Sequence, residues 1–408
     1  MSADSAIRAS QERPLRILML APEPFFEPRG TPFSEYHRIK ALTELGHHVD
    51  LVTYPFGSDV SLPRLRIIRS LRPPFLRRVT VGPSAAKLVL DMFLAGTAWR
   101  QARRERYDLI HSHEEAGILG VWLAKRLGIP HLYDMHSSLP QQLTNFRYAR
   151  SRWLRRAFEI MEDRTIFGSH LVVTICQDLQ DHVTKMGAGD RAVLIENVMG
   201  GDVDEPPQLT SDEIRQRWKV PTDAPLVLYT GTFEPYQGLH LLLAASEIVA
   251  KTHPHARVLV VGGRPEQVEK VRGENGNAGV IFTGYQKARD IPAFLEAADI
   301  LASPRSSGTN TPLKIYSYLR AGKPIVATDL LTHTQVLDRE VALLVRPEPG
   351  AFASAIVSLI DNPGRRQQLA DAAGARARER YSREVYVTRT RLVCERLAAA
   401  APSDSARR

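Results

Sequence analysis

The densest chemistry in the chain lies between Ser303 and Pro324. Ser306 to Thr311 is a small, polar run able to present N–H and hydroxyl donors, with Thr309, Asn310, Thr311 and Pro312 leading into a helix. On that helix Lys314 and Ser317 stand three apart, so they share one face near its positive end. A lysine there opposes the helix dipole, and an anion held beside it accounts for its presence; the alternative is a solvated surface lysine. Three glycine turns precede this stretch. Tyr229 to Gly238 contains Gly231, Thr232 and Gln237; Val260 to Gly263 ends on Gly262 and Gly263; Phe282 to Tyr285 ends on Gly284 and Tyr285. Three such turns in one half of the chain suggest a nucleotide held largely by backbone atoms. In the other half, Gly30 and Thr31 sit in a turn ahead of a helix, where amides can approach an anion; an ordinary turn fits equally well. The spacing is not Gly-x-Gly-x-x-Gly, which argues against a dinucleotide dehydrogenase. In Asp108 to Glu114, strand alternation places His111 and His113 on one side. A third ligand at fixed spacing is absent, so no metal is expected, and His113 as a hydrogen-bond donor to a sugar is the sharper reading. His136, after Tyr133-Asp134-Met135, is a second candidate.

These residues need strands that end beside one another. Runs of branched apolar residues predict strands at 15–21, 49–54, 65–69, 109–112, 131–135, 171–175 and 192–196, then at 226–230, 257–261, 280–283, 300–303, 324–328 and 342–345. Helical patterns separate most of them. Phe33, Tyr36, Ile39, Leu42 and Leu45 recur at three- and four-residue steps, and Gly46 can close that helix in a left-handed conformation. Alternation of strands and helices argues for parallel sheets with right-handed crossovers. Gly200 to Pro207 lacks apolar periodicity and reads as a linker. A helix starts near Ser211, with Asp212 and Glu213 in its first turn. The expected division is therefore 1–13 as a disordered tail, 14–205 and 206–385 as two Rossmann-like α/β domains, and 386–408 as a C-terminal helix and disordered tail. In open parallel sheets, ligands bind beyond the carboxyl ends of the strands, where the turns above lie.

The 408 residues suit two domains of ordinary composition, 43% hydrophobic and 24% charged. No apolar run approaches the ~20 residues of a membrane-spanning helix. The polar start, Met1 to Arg13, does not read as a signal peptide. The two cysteines, Cys176 and Cys394, form no metal or redox spacing, and a reducing cytoplasm is expected. The net charge of +9 is concentrated in the first half. Between Arg64 and Arg106 eleven basic residues face two acids, and Arg147 to Arg156 holds five with no acid. Arg77, Arg78, Arg147, Arg152, Arg155 and Arg156, with Trp153 among them, predict a patch for an anionic membrane surface. The alternatives are a solvated helix or a site for an anionic acceptor. No nucleic-acid reader module is visible.

Taken together, the motifs resemble family 4 of the retaining glycosyltransferases, over about residues 15 to 385. Pro312 to Thr328 is similar to the family's donor-site helix and following strand. The Gly30 turn is similar to its loop over the donor phosphates, Asp108 to His113 to its Asp-x-x-His-x-His stretch, and Ile195 to Val198 to the strand end before its interdomain linker. The resemblance implies a GT-B fold, in which two doubly wound parallel-sheet domains face each other across a cleft, the first on the acceptor side and the second binding the donor. It implies transfer of a sugar from a nucleotide-diphosphate sugar to a lipid-linked or saccharide acceptor, with retention of configuration. His113 and Lys314 would then be catalytic. Gly30, Thr31, Gly231, Thr232, Gln237, Gly262, Gly263, Gly284, Tyr285, Thr309, Asn310, Thr311, Pro312 and Ser317 would bind the donor, and Glu35 and His136 would lie on the acceptor side. No cofactor beyond the nucleotide sugar and no obligatory metal are implied. Asp202-Val203-Asp204 falls in the linker and is not read as a metal motif. The location expected from the cysteines, the polar start and the basic patch is cytoplasmic, peripheral at the inner face of the plasma membrane. The chain also departs from the family. The usual Glu-x7-Glu pair falls on Thr309 and Ser317, and the usual Arg and Lys of the second domain's first loop fall on Thr232 and Gln237, which marks a divergent subgroup. A sugar-nucleotide epimerase is one alternative, though it needs acid–base carboxylates where Thr309 and Ser317 stand. A catalytically silent nucleotide-sugar-binding subunit is the other.

Overall fold

A computed structural model describes residues 13–26, 30–74, 76, 85–140, 152–198, 206–274 and 279–400. The chain divides into two compact units, Met1–Glu196 with Tyr386–Arg408, and Asn197–Val385.

The first unit is built on a seven-stranded parallel sheet of order β3-β2-β1-β4-β5-β6-β7. Its strands are β1 (Arg16–Ala21), β2 (His48–Thr53), β3 (Leu65–Arg69), β4 (Leu109–His113), β5 (His131–Met135), β6 (Leu171–Thr174) and β7 (Ala192–Leu194). The second unit repeats the design in six strands, order β10-β9-β8-β11-β12-β13. These are β8 (Leu226–Thr230), β9 (Arg257–Val261), β10 (Val280–Gly284), β11 (Ile300–Ser303), β12 (Ile325–Thr328) and β13 (Ala342–Val345). All thirteen expected strands are present, within a residue or two at their ends. They were readable because a parallel strand is covered by helices on both faces and becomes a near-continuous branched apolar run. In each sheet the strand order reverses once, between β1 and β4 and between β8 and β11. The crevice beyond the carboxyl ends at such a reversal is where this architecture admits ligands.

Each face of the second sheet has its own core. Leu226, Leu228, Leu259, Phe294, Ile315 and Leu319 pack on one side, and Val227, Val260, Leu242, Phe352 and Ile356 on the other. Burying each such side chain contributes about 1.5–3 kcal/mol. The helix Ser211–Arg217 starts where expected and is fixed by a reciprocal cap, in which Thr210 and Glu213 each satisfy the other's backbone N–H.

Three features differ from the sequence expectation. The division falls after Glu196, at the end of the sheet, and residues 199–205, most of the expected linker with Asp202 and Asp204, lie outside the described residues. The C-terminal helix, Arg383–Ala400, is not a separate appendage from Tyr386 onward. It buries Tyr386, Thr390, Val393, Cys394 and Leu397 along one face, and that face packs into the first unit. The helix Gly30–Glu44 buries Glu35, His37 and Arg38 beside Ile39 and Leu42, while Phe33 and Tyr36 are only half-buried. Its covered face is therefore partly charged.

Candidate functional site

In the first unit, alternation along β4 turns His111 and His113 to the same side, against Glu35 and Arg38 of the helix Gly30–Glu44. β5 sets Asp134 alongside, in register with His113, and His136 follows at its end. All six side chains are buried. Arg38 Nε donates to Asp134 Oδ2 at 2.9 Å, and its Nη1 donates to Thr390 Oγ1 at 3.0 Å. Its guanidinium lies 4.8 Å from the Tyr386 ring centroid. His111 Nε2 is 3.5 Å from Asp134 Oδ2, and His136 Nε2 is 3.6 Å from Asp134 Oδ1. His136 Nε2 and His113 Nδ1 are 3.0 Å apart, and His113 Nδ1 is 3.6 Å from Glu35 Oε1.

The electrostatics separate these groups. Burial raises the Asp134 carboxyl, but Arg38 and the histidines outweigh it and hold Asp134 well below the usual range. Burial keeps His111 and His113 neutral and lowers His136 to about 4. Burial, then Glu23, Asp134 and Glu114, drive Glu35 well above the usual carboxyl range, so it keeps its proton. Glu114, next to His113, is pushed up to about 8 by burial and then by Glu115 and Glu23. Its backbone is left-handed, with φ of 47°, a strained state for a side-chain-bearing residue that marks the end of β4. His111, His113 and Asp134 place possible ligand atoms within 4.8 Å of one another. Arg38 already supplies a positive charge to that carboxylate.

In the second unit the glycine turns lie side by side past β8, β9 and β10. Gly231 N–H donates to Val261 O, and Gly262 N–H donates to Gly284 O. Their reason is steric as well as conformational. Gly262 has φ of 124°, and a Cβ there would collide with the Gly231 carbonyl; one at Gly263 would come within 2.7 Å of the Phe233 ring. The turn between β11 and the helix Lys314–Arg320 is held from outside. Gln335 Nε2 donates to Thr309 O at 2.5 Å, and Thr332 Oγ1 to Asn310 O at 2.7 Å. Buried His333 bonds Ser303 Oγ at 2.8 Å and Thr328 O at 2.9 Å. Lys314 Nζ is buried, has no hydrogen-bond partner among the described residues, and lies 4.1 Å from the Tyr229 ring centroid. A side chain at Gly231 would come within 3.5 Å of that amine. Burial, then Arg305, lowers Lys314 to about 7. Arg305 donates to the carbonyls of Ser307 and Asn310 and lies 5.1 Å from the Tyr236 ring centroid. Among the described residues neither Lys314 nor Arg305 pairs with a carboxylate.

The structure thus gathers His113, His136 and Glu35 in the first unit. In the second it gathers Gly231, Gly262, Gly263, Gly284 and Lys314 at the strand ends. Gly30 opens its helix and Thr31 is half-buried there. Thr309 and Asn310 offer their carbonyls inward to the protein, Thr311 Oγ1 is buried without a partner among the described residues, and Pro312 is buried. Ser317 is half-buried one turn beyond Lys314, Thr232 is exposed, and Gln237 Oε1 is buried without a partner among the described residues. Tyr285 is 71% exposed beside Gly284. Of the basic patch, Arg77, Arg78 and Arg147 lie outside the described residues, as does the side chain of Arg152. Trp153 is 75% exposed. Arg155 and Arg156 pair with Glu159 at 3.1 and 3.3 Å, so this part of the patch is less cationic than a count over Arg147–Arg156 suggests. Sequence reasoning missed Arg38, Asp134, Arg305, Tyr229 and the Thr332–Gln335 brace. The spacing of Glu35 and Arg38 by three in an amphipathic helix was the available signal for the first.

Residues 36–197 match the family described as glycosyl transferase 4-like domain, and residues 224–362 that described as glycosyl transferases group 1. The phosphatidyl-myo-inositol mannosyltransferase of Mycobacterium leprae is 27% identical over 393 residues, covering 94% of this chain and 97% of that protein. The D-inositol 3-phosphate glycosyltransferase of Thermomonospora curvata is 28% identical, covering 83% and 84%. Among solved structures, sucrose-phosphate synthase from Thermosynechococcus elongatus superposes with a TM-score of 0.74 at 19% identity, covering 95% of this chain and 100% of that one. Anabaena HepE in complex with UDP-glucose gives 0.70 at 19%, covering 94% and 100%.

Proposed function

The chain belongs to the family 4 glycosyltransferases, with a GT-B fold, and from that premise we propose that it moves a sugar from a nucleoside-diphosphate sugar to a polyol, saccharide or lipid-linked acceptor with retention of configuration. The observation that carries this reading is Lys314: a buried amine with no carboxylate partner among the described residues, at the strand-order reversal, beside Gly231 of the glycine turns that follow β8, β9 and β10. The relatives named above act on phosphatidylinositol or inositol phosphate by their names, and a HepE structure holds UDP-glucose. Both support the donor and acceptor classes proposed here.

In the proposed step, the bond from the anomeric carbon to the diphosphate oxygen breaks and a bond to the acceptor oxygen forms on the same face. The acceptor's proton passes to the departing phosphate oxygen, so no protein base is required. Lys314 and Arg305 stabilise the charge on the leaving group in a water-poor site. His113 donates to a hydroxyl of the transferred sugar, and protonated Glu35 and His136 serve the acceptor side. Thr309 and Ser317 stand where the family carries carboxylates, so the two cations face the donor without an acid to compensate them. Lys314 and Arg305 carry the charge-neutralising role, and we propose no obligatory metal.

No helix among the described residues is long and apolar enough to cross a membrane. We propose peripheral attachment through the first unit. The helix Ala85–Arg104 exposes Leu88 and Met92 one turn apart, at 67% and 66%. Exposed Arg100, Arg103 and Arg104 continue it, and Trp122, Lys125 and Arg126 of the helix Gly117–Leu127 lie exposed as well. Each cation near an anionic surface contributes ~1 kcal/mol. The test of function is release of nucleoside diphosphate from a panel of nucleotide sugars, with and without phosphatidylinositol vesicles. Acceptor-dependent release with one donor is expected; binding of every donor without release overturns the reading.

A further inference from the structure

Two atoms in the first unit fix where protons sit. His136 Nε2 and His113 Nδ1 are 3.0 Å apart, so one carries hydrogen and the other a lone pair. Asp134 decides between them. Its Oδ2 is taken by Arg38, and its Oδ1, 3.6 Å from His136 Nε2, attracts a proton onto that nitrogen. With the hydrogen on His136 Nε2, the shorter contact is a donation to His113 Nδ1. His113 then carries its own hydrogen on Nε2, a buried atom with no partner among the described residues. Glu35, the other group facing His113 Nδ1, is a neutral acid under burial and the field of Glu23, so it does not draw a proton to that atom.

Arg38 makes Asp134 dependable in this role. The guanidinium is anchored on the other side by Thr390 Oγ1 and the Tyr386 ring, both from the C-terminal helix. Thr390 Oγ1 in turn donates to Tyr386 O at 2.9 Å. The last helix of the chain is therefore wired to the first unit's site.

We propose that Arg38 and Asp134 are positioning residues that set the His136–His113 pair in a single tautomer, leaving His113 Nε2–H as a fixed donor for a hydroxyl of the sugar. The functional half of this inference rests on the role given to His113 above; the tautomer does not. A neutral imidazole is donor on one nitrogen and acceptor on the other, and the group bonded to the first decides which. Asp134→Asn should reverse the pair. The amide oxygen must face Arg38, so the NH2 group faces His136 Nε2, which then accepts. His113 Nδ1 must donate in its place, and His113 Nε2 becomes a lone pair.

The experiment is long-range 1H–15N correlation on the full chain labelled with imidazole-15N histidine, with assignments from His113→Gln and His136→Gln. In the wild type, His113 and His136 should both be protonated on Nε2; His113 protonated on Nδ1 overturns the proposal, whatever the activity. Asp134→Asn should move the His113 proton to Nδ1 and reduce kcat roughly two- to thirteen-fold, the range of one neutral hydrogen bond to a sugar hydroxyl, with donor Kd unchanged. An Asp134→Asn protein that keeps the wild-type tautomer also overturns it. Reversed tautomers with unchanged kcat overturn the role of His113 in transfer while leaving the relay standing. Because the wild-type spectrum alone decides the tautomer, the test survives a variant that does not fold.

Discussion

Replacing Lys314 by methionine separates binding from stability, because the two should move in opposite directions. The side chain keeps its length and loses its charge. In the free protein the amine is buried over Tyr229 without a partner among the described residues, and it titrates near 7 instead of 10.5. At ~1.4 kcal/mol per tenfold change in proton affinity, that displacement corresponds to a ceiling of roughly 5 kcal/mol of desolvation cost. Methionine does not incur it. The unliganded Lys314→Met protein should therefore melt at the same temperature as the wild type or several degrees higher at pH 7. A charged hydrogen bond to a phosphate contributes about 1.5–3 kcal/mol, so donor affinity should fall roughly 10- to 150-fold. The assay is thermal melting with and without a panel of UDP-, GDP- and ADP-sugars. The wild type should be stabilised by at least one of them, and the variant should lose most of that shift. A variant that melts lower on its own and keeps the full ligand shift would refute the reasoning, since the ammonium would then be structural.

Lys314 also predicts a pH signature: the unfolded chain holds its proton to 10.5 and the folded one releases it near 7, so this group makes stability rise with pH across that window, and the rise should be absent from the wild-type-minus-Lys314→Met difference only if the amine is not buried. Donor affinity runs the other way, weakening by up to about tenfold per pH unit above 7 as binding must take up a proton; titration calorimetry in buffers of different ionisation heat reads that uptake. Glu114 keeps its proton to about 8 in the folded state and loses it near 4.5 when unfolded, so stability should fall by ~1.4 kcal/mol per pH unit between those values and Glu114→Gln should flatten the fall in urea titrations. Gly262→Ala, whose Cβ would strike the Gly231 carbonyl at a φ of 124°, should cost about 1–3 kcal/mol in backbone strain alone and abolish donor-induced stabilisation. Leu88→Ser with Met92→Ser should weaken co-sedimentation with anionic vesicles and leave release of nucleoside diphosphate with a water-soluble acceptor unchanged; equal sedimentation of both proteins contradicts the surface assigned to that helix.

The strands and the two-unit plan were legible because sheets covered on both faces write themselves into the sequence as apolar runs such as Leu226–Thr230 and Ile300–Ser303. The glycine turns were legible for the same local reason, since positive φ and close backbone approach leave few choices of residue. The charged network was not. Arg38 and Asp134 are 96 positions apart, and Arg38 and Thr390 are 352 apart, so neither pair has a local signature. The C-terminal helix carries a buried face at helical spacing, which shows that it packs but not on which unit. His113 could be singled out from strand alternation, yet the direction of its hydrogen depends on a neighbour from β5 that no spacing identifies. Arg155 and Arg156 show the opposite error, where counting charges along a run overlooked Glu159 one helical turn on.

The central claim is tested most directly by following the anomeric proton by NMR while the protein acts on the nucleotide sugar that stabilises it, in the presence of an inositol-containing acceptor. A new anomeric signal with the donor's own configuration, appearing in step with free nucleoside diphosphate and lost in Lys314→Met, is the predicted result. An inverted product, or a donor that binds and is never consumed, contradicts it.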